Sequence, residues 1–356
     1  MARIPASTQK LVTSTGALLT MGPGFQFETR LFQGPAAERT GRVLRGALYV
    51  KGYGDPTLAT RPYARANQSG AGGNFSRLFV PLARSGIRAV KGPIAADEAF
   101  FDSRRLGPQW RSYYSAYSAP LSALSLNRNS AGRPPLPAAV RARTALRGVG
   151  IRQTGGVTTA RTPPDARPLG VVRSPRLNRI LRLMNPSSDN YTAEMLLKGV
   201  GAYGRELGTS SAGAQHTAGL LRQMGVLGPR DRVVDGSGLS RANRLSAATL
   251  TRLLAAAEAN PGWGRPLIES LPRGGEGTLR RRFRGAARHR VRAKTGSLNG
   301  VTTLAGRVVS RRGQRYAFAL LFETTDFTGA REVQDRVVKL LAAGREDALG
   351  AAAAGR

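Results

Sequence analysis

Ser7 and Lys10 have the types and the spacing of a nucleophile and its base. Residues i and i+3 share one face of a helix, so the Lys10 amine reaches the Ser7 hydroxyl one turn away. A serine hydroxyl attacks a carbonyl only once a base takes its proton. Lysine does this only as a neutral amine, and burial or a second ammonium nearby is what depresses its pKa. Lys294 is the candidate for that second charge. It opens Lys294-Thr295-Gly296, and a third short motif, Ser188-Asp189-Asn190, lies between. In such a set Ser188 relays a proton to a leaving amine, and the Asn190 amide donates to and accepts from a substrate backbone. Lys294 and Thr295 hold a substrate carboxylate, and Gly296 lets backbone approach closely. Ser7 at a helix N-terminus also meets a positive dipole end and free N–H groups that favour an oxyanion.

Taken singly these motifs are weak. By average usage Ser-x-x-Lys and Ser-x-Asn each occur about once in a chain of this length, and Lys-Thr-Gly in roughly one chain in ten. This chain is lysine-poor, holding only Lys10, Lys51, Lys91, Lys198, Lys294 and Lys339, and two of these fall in the motifs. With no cysteine, and His216 and His289 its only histidines, the chain lacks ligands for a zinc or iron–sulfur site. No metal and no cofactor is expected. Each histidine reads as structural, and Asp235-Gly236-Ser237-Gly238 reads as a tight turn with no nucleophile.

The elements that must position these residues follow from pattern. Residues 7–19 read as a helix stopped by Gly22-Pro23-Gly24, with Ser7 able to cap it. Strands are expected at 25–32 and 47–51, a helix at 75–84, short strands through 87–101, and an irregular aromatic stretch at 110–126. From 174 onward helices dominate, at 177–184, 191–200, 212–224 and 246–259. Strands at 291–294, 301–309 and 314–322 close the pattern, and the AAAAGR tail is expected to fray. Helices followed by an antiparallel sheet imply an α/β (α+β) sandwich.

The net charge of +34 is almost all arginine and attracts polyanions, whether nucleic acid, anionic lipid or acidic wall polymer. The run RRRFRGAARHRVRAK reads as solvated strand and loop arginines rather than a nucleic-acid patch, because Val291 and Ala293 alternate with Arg290 and Arg292. No specific nucleic acid is expected. No apolar run is long enough for a transmembrane segment, and no signal peptide is visible.

Ser-x-x-Lys, Ser-x-Asn and Lys-Thr-Gly in this order form the pattern of penicillin-binding proteins and serine β-lactamases. Longer strings sharpen the likeness: PASTQKLVTSTGALLTMGPGFQFET, YVKGYGDPTL, GPIAADEAFFD, YSAPLSALSLNRN, SPRLNRILRLMNPSSDNYTAEMLLK, VVDGSGLSRANRLSA, LPRGGEGTL and AKTGSLNGVTTLAGRV. They fall in family order over nearly the whole chain. The sequence resembles the class C low-molecular-mass penicillin-binding proteins, the D-alanyl-D-alanine carboxypeptidase/endopeptidases.

That resemblance implies a penicillin-binding, serine β-lactamase-like transpeptidase fold, an antiparallel sheet with helices, interrupted by an inserted β-rich domain. Residues 1–35 and 172–356 are the expected catalytic domain, and 36–171 the insertion. It implies Ser7 as the acylated serine, Lys10 as base and Ser188 as relay, with Asn190 binding substrate. Lys294, Thr295 and Ser297 meet the terminal carboxylate, and the N–H groups of Ser7 and Ser297 form the oxyanion hole. Arg241 sits where relatives bind a diaminopimelate carboxylate, with Asn299 near and Tyr117 as an aromatic platform. Substrates are peptidoglycan peptides ending in D-Ala-D-Ala, with β-lactams as inhibitors and the cell envelope as location.

Three departures qualify the resemblance. Relatives carry a signal peptide, a helix and the first sheet strands before the serine, so the start, MARIPASTQKLV, is expected to be truncated. A third, nested domain found in several relatives is expected to be absent. Ser112 stands where relatives have an acidic residue before the SAP string, which weakens preference for a diaminopimelate side chain. The alternatives are an inactive truncated homologue that binds cell-wall or other polyanions, and β-lactamase activity on the same fold.

Overall fold

A computed structural model of the chain describes residues 1–345 except 69, 73–74 and 131–132, together with the backbone but not the side chain of 286. The AAAAGR tail lies outside these residues. After Pro5 the chain turns through a 3-10 segment, Ala6–Thr8, into the helix Gln9–Met21. Gly22, with φ of +79°, ends it before Pro23. Every residue from Gln9 to Leu18 is buried, so this helix is the centre of its unit rather than a surface element. Gly16 allows the tight packing: a Cβ there would stand 2.4 Å from Thr217 Oγ1 on a neighbouring helix. Ser7 does not cap the helix as expected, because it lies inside the 3-10 turn and its hydroxyl faces Lys10.

Around this helix pack Leu177–Ser187, Asn190–Arg205, Ser210–Gln223 and Ala247–Ala259. Leu11, Val12, Leu181, Leu196, Leu221 and Leu253 join in one core. Ser246 caps the last of these helices by accepting from the Thr249 N–H. A three-stranded antiparallel sheet, Val291–Leu298, Val301–Val309 and Arg315–Glu323, closes the unit on one side. Strand alternation splits its faces: Ala305 joins the helical core, while Leu304 and Val308 pack under a final helix, Phe327–Ala343. The sequence patterns did not reveal that final helix; its apolar residues Val338 and Leu341 are read as helical only once the sheet face they cover is known.

The remaining strands form a separate core. One sheet runs in the order Arg167–Arg173, Glu28–Gln33, Leu48–Gly52, Ile94–Asp97, Val157–Thr159. A second runs Glu38–Thr40, Val43–Arg45, Ala89–Lys91, Arg152–Thr154. Leu31, Val50, Phe75, Phe79, Ile94 and Leu146 fill the space against the helix Leu136–Gly148. The strand Glu28–Gln33, expected with the nucleophile helix on the catalytic side of residue 35, is hydrogen-bonded into this sheet, between Arg167–Arg173 and Leu48–Gly52. Its buried Leu31 packs with the inserted strands, and that burial decides its allegiance.

Replacing Leu196 by Ala empties part of the core beneath the helix Gln9–Met21. The expected cost is about 2–5 kcal/mol of folding stability, read as a shift in the chemical denaturation midpoint.

Candidate active site

Lys10 is fully buried, and its Nζ lies 3.0 Å from Ser7 Oγ, 2.8 Å from Asn190 Oδ1 and 2.7 Å from the carbonyl oxygen of Ser237. An ammonium donates to all three. A neutral amine donates to Asn190 and Ser237, and its lone pair then faces the Ser7 O–H. A neutral amine held this way presents its electron pair to the Ser7 hydroxyl. Burial pushes the Lys10 pKa down from 10.5 to about 8, against the opposing pull of Asp235, Asp189 and Glu194.

Lys294 approaches from the sheet. It is also fully buried and donates to Ser188 Oγ at 2.9 Å and to the Thr295 carbonyl at 2.9 Å. Burial, then the charge of Lys10, hold it well below the ordinary lysine range. Ser188 occupies the junction where the helix Leu177–Ser187 ends and Asn190–Arg205 begins, in the left-handed region at φ +57°. That conformation is costly for serine and turns its hydroxyl from the helix onto the sheet lysine.

The sequence-derived set Ser7, Lys10, Ser188, Asn190 and Lys294 is thus linked by hydrogen bonds in two connected groups. Gly296 has the close approach expected of it: a Cβ there would stand 2.8 Å from Ser7 N and 2.2 Å from Thr303 Oγ1. Thr295 and Ser297, on the other side of that strand, line an open groove. Arg241 donates to the Asn299 carbonyl at 2.9 Å, which brings these two candidates together at the end of the strand. Tyr117 keeps its ring exposed and offers its backbone carbonyl to Asn190 Nδ2 at 3.0 Å. Ser112 is exposed in the same 3-10 segment.

Several supports were not singled out in the sequence. The turn 235–238, read as a tight turn with no nucleophile, supplies the Ser237 carbonyl that accepts from Lys10. Buried Glu194 holds that turn, accepting from the N–H groups of Gly236 at 3.0 Å and Ser237 at 2.7 Å. Burial, then the Asp235 charge, raise its carboxyl to about 8. Asp235 accepts from Trp110 Nε1, Asn243 Nδ2 and the N–H groups of Gly238 and Ser240. Arg128 pairs with Asp189 and lies over the Tyr191 ring, inside three successive left-handed residues, Asn127, Arg128 and Asn129. The only hint of Glu194 in the sequence is its i+4 spacing from Asn190 on one helix face.

A profile of the D-Ala-D-Ala carboxypeptidase 3 (S13) family matches residues 1–134 and 137–344. This chain belongs to that family. Among S13-type relatives, a carboxypeptidase of Mycobacterium tuberculosis is 30% identical over 355 residues, covering 95% of this chain and 75% of that protein. The D-alanyl-D-alanine carboxypeptidase of Actinomadura sp. strain R39 is 30% identical over 428 residues, covering 95% of this chain and 77% of that one. In three dimensions the S13 chain resembles penicillin-binding protein 4 (dacB) of Haemophilus influenzae, with a TM-score of 0.76, 24% identity and 97% and 90% of the two chains covered. The fold is the penicillin-binding, serine β-lactamase-like α/β fold, with mixed sheets and helices.

Two outcomes follow from the geometry. With Lys10 acting as base on Ser7, the neutral fraction of its amine grows as pH rises through its pKa, so the rate of benzylpenicillin acylation is expected to climb between about pH 7 and 9 around a midpoint near 8. Glu194→Gln keeps an uncharged acceptor for both turn N–H groups and stays within about threefold of the parent. Glu194→Ala leaves both donors buried and unpaired, and acylation slows by about 10–100-fold in stopped-flow measurements with the fold retained by circular dichroism.

Proposed function

We propose that this chain is a penicillin-sensitive serine-type D-Ala-D-Ala carboxypeptidase/endopeptidase that hydrolyses peptidoglycan stem peptides through an acyl-enzyme on Ser7. The observation that carries this reading is the buried Lys10 amine set 3.0 Å from Ser7 Oγ, with its other two positions occupied by Asn190 and Ser237.

Lys10 takes the Ser7 proton as Oγ adds to the penultimate D-alanine carbonyl. The N–H groups of Ser7 and Ser297 receive the oxyanion, and Gly296 supports this because its lack of a side chain keeps Ser7 and the strand in contact. The C–N bond then breaks as the proton passes through Ser188 to the leaving amine, with Lys294 holding the Ser188 hydroxyl. Water enters in the second half and hydrolyses the ester, releasing the shortened peptide and restoring Ser7. Thr295 and Ser297 bind the terminal carboxylate, Asn190 binds the peptide backbone, and Arg241, Asn299 and Tyr117 flank the side chain of the preceding residue.

We take the inserted unit as residues 28–173, so that it includes the strands Glu28–Gln33 and Arg167–Arg173 of its own sheet, and the acyl-transfer unit as residues 1–27 and 174–356. We assign the protein to the cell envelope, where its substrate is. Among the described residues no helix is long and apolar enough to cross a membrane.

Benzylpenicillin is expected to add its full mass to the folded protein, with the adduct on the peptide that contains Ser7. Ser7→Ala abolishes both the adduct and release of D-alanine from a peptide ending in D-Ala-D-Ala. An intact-mass spectrum without adduct, on protein shown to be folded, overturns the assignment.

A further inference from the structure

The arginine run, read as solvated strand and loop residues, is not uniformly solvated. Leu279 and Phe283 are buried in the core under the final helix, and Phe283 adopts φ of +52° to get there. Arg282 lies over the Phe283 ring at 5.2 Å and donates to Asp335 Oδ1 at 2.8 Å and Gln334 Oε1 at 3.0 Å. On the other side Gly277, at φ +47°, packs so closely that a Cβ would stand 2.4 Å from the Pro186 carbonyl, two residues before Ser188. The loop is therefore clamped both to the final helix and to the Ser-Asp-Asn junction. Arg280 and Arg281 are the exposed pair held between its two apolar anchors.

These arginines line, together with Thr295 and Ser297, a groove of about 830 Å3. Arg331 of the final helix adds a third cation. Of the two carboxylates that line the groove, Asp335 is committed to Arg282, which leaves Glu332 against Arg280, Arg281 and Arg331. The volume falls in the range of pockets that enclose whole small molecules, roughly 300–1,000 Å3, and free D-alanine with its single methyl group fills a small part of it. The excess of cations is a poor match for a neutral leaving group and a good one for an acidic group.

We infer that this groove is a leaving-group subsite for an acidic residue: beyond the terminal carboxylate held at Thr295 and Ser297, Arg280 and Arg281 receive a second carboxylate on the departing D-amino acid. The inference rests on the acyl-transfer reading above. It names the substrate class that this member accepts on the leaving side: peptides whose departing residue carries its own acidic side group, as well as D-alanine itself. The acyl-transfer chemistry is unchanged, and what the arginines add is attraction for the departing residue before the C–N bond breaks.

The test uses three peptides with one acyl donor, ending in D-Ala-D-Glu, D-Ala-D-Gln and D-Ala-D-Ala. Glutamate and glutamine differ in charge at nearly constant size, so their ratio of kcat/KM isolates the second carboxylate. A preference for D-Glu over D-Gln of about tenfold is expected at low salt, shrinking as ionic strength rises. In the double variant R280Q/R281Q the ratio falls to near one. A ratio near one in the parent protein overturns the inference, as does a double variant that loses activity equally on both peptides. Benzylpenicillin acylation of Ser7 is measured in parallel on the parent. Its presence with no D-Glu preference rejects the subsite alone, whereas its absence rejects the underlying reading.

Discussion

A lysine nitrogen sealed from water and given three oxygen neighbours is the constraint around which this structure is organised. Burying such a group unpaired costs several kcal/mol, so every acceptor must be in place before the core closes. Two of those acceptors come from distant parts of the chain, Asn190 at the start of one helix and Ser237 in a turn. Each needs its own support: Glu194 and Asp235 pin the turn, and Asp189 with Arg128 fixes the helix start. The lowered pKa of Lys10, which suits the proposed base, is a consequence of the same burial that makes the arrangement costly. Function and stability meet at this atom, and the balance is struck by hydrogen bonds that leave one direction open toward Ser7.

The second lysine follows the same logic. Lys294 and Lys10 reach the site from a strand and a helix, and the charge of Lys10 disfavours an ammonium at Lys294. Ser188 accepts from Lys294, while Asn190, two residues on, accepts from Lys10. The Ser-Asp-Asn junction therefore keeps the two amines in fixed relation without a direct contact between them. Its left-handed Ser188 is local strain maintained by packing on both flanks.

The inserted region does more than sit beside this centre. Trp110 donates to Asp235, Arg128 pairs with Asp189, Ser125 shares a hydrogen bond with the Tyr191 hydroxyl, and the Tyr117 carbonyl accepts from Asn190. Four of its residues thus brace the groups that hold Lys10. The turn 127–129 carries three left-handed residues in succession, tied down by Thr60 and the Pro120 carbonyl, and this is what places the Arg128 guanidinium over Tyr191. These polar contacts connect the insertion to the surroundings of Lys10.

Much of the site was legible from order along the chain, because its chemistry is encoded in short local spacings. Ser7 and Lys10 lie one turn apart, Ser188 and Asn190 flank a helix start, and Lys294 to Ser297 lie on one strand, so residue type and local geometry were enough to nominate them. The catalytic sheet was equally plain, since its strands alternate and join through short turns. What the sequence could not determine were partners joined by space alone. Ser237 contributes a backbone carbonyl, which has no residue-type signature, and Glu194 matters because a turn some forty residues later lies against it. The strand Glu28–Gln33 follows the nucleophile helix directly, yet pairs with the insertion because the sheet that buries Leu31 is assembled from later segments. Arg280 and Arg281 acquire a direction only when Leu279 and Phe283 find the core on either side of them. Local patterning set which groups could do the chemistry; long-range burial decided which oxygens surround the base and which arginines face the groove.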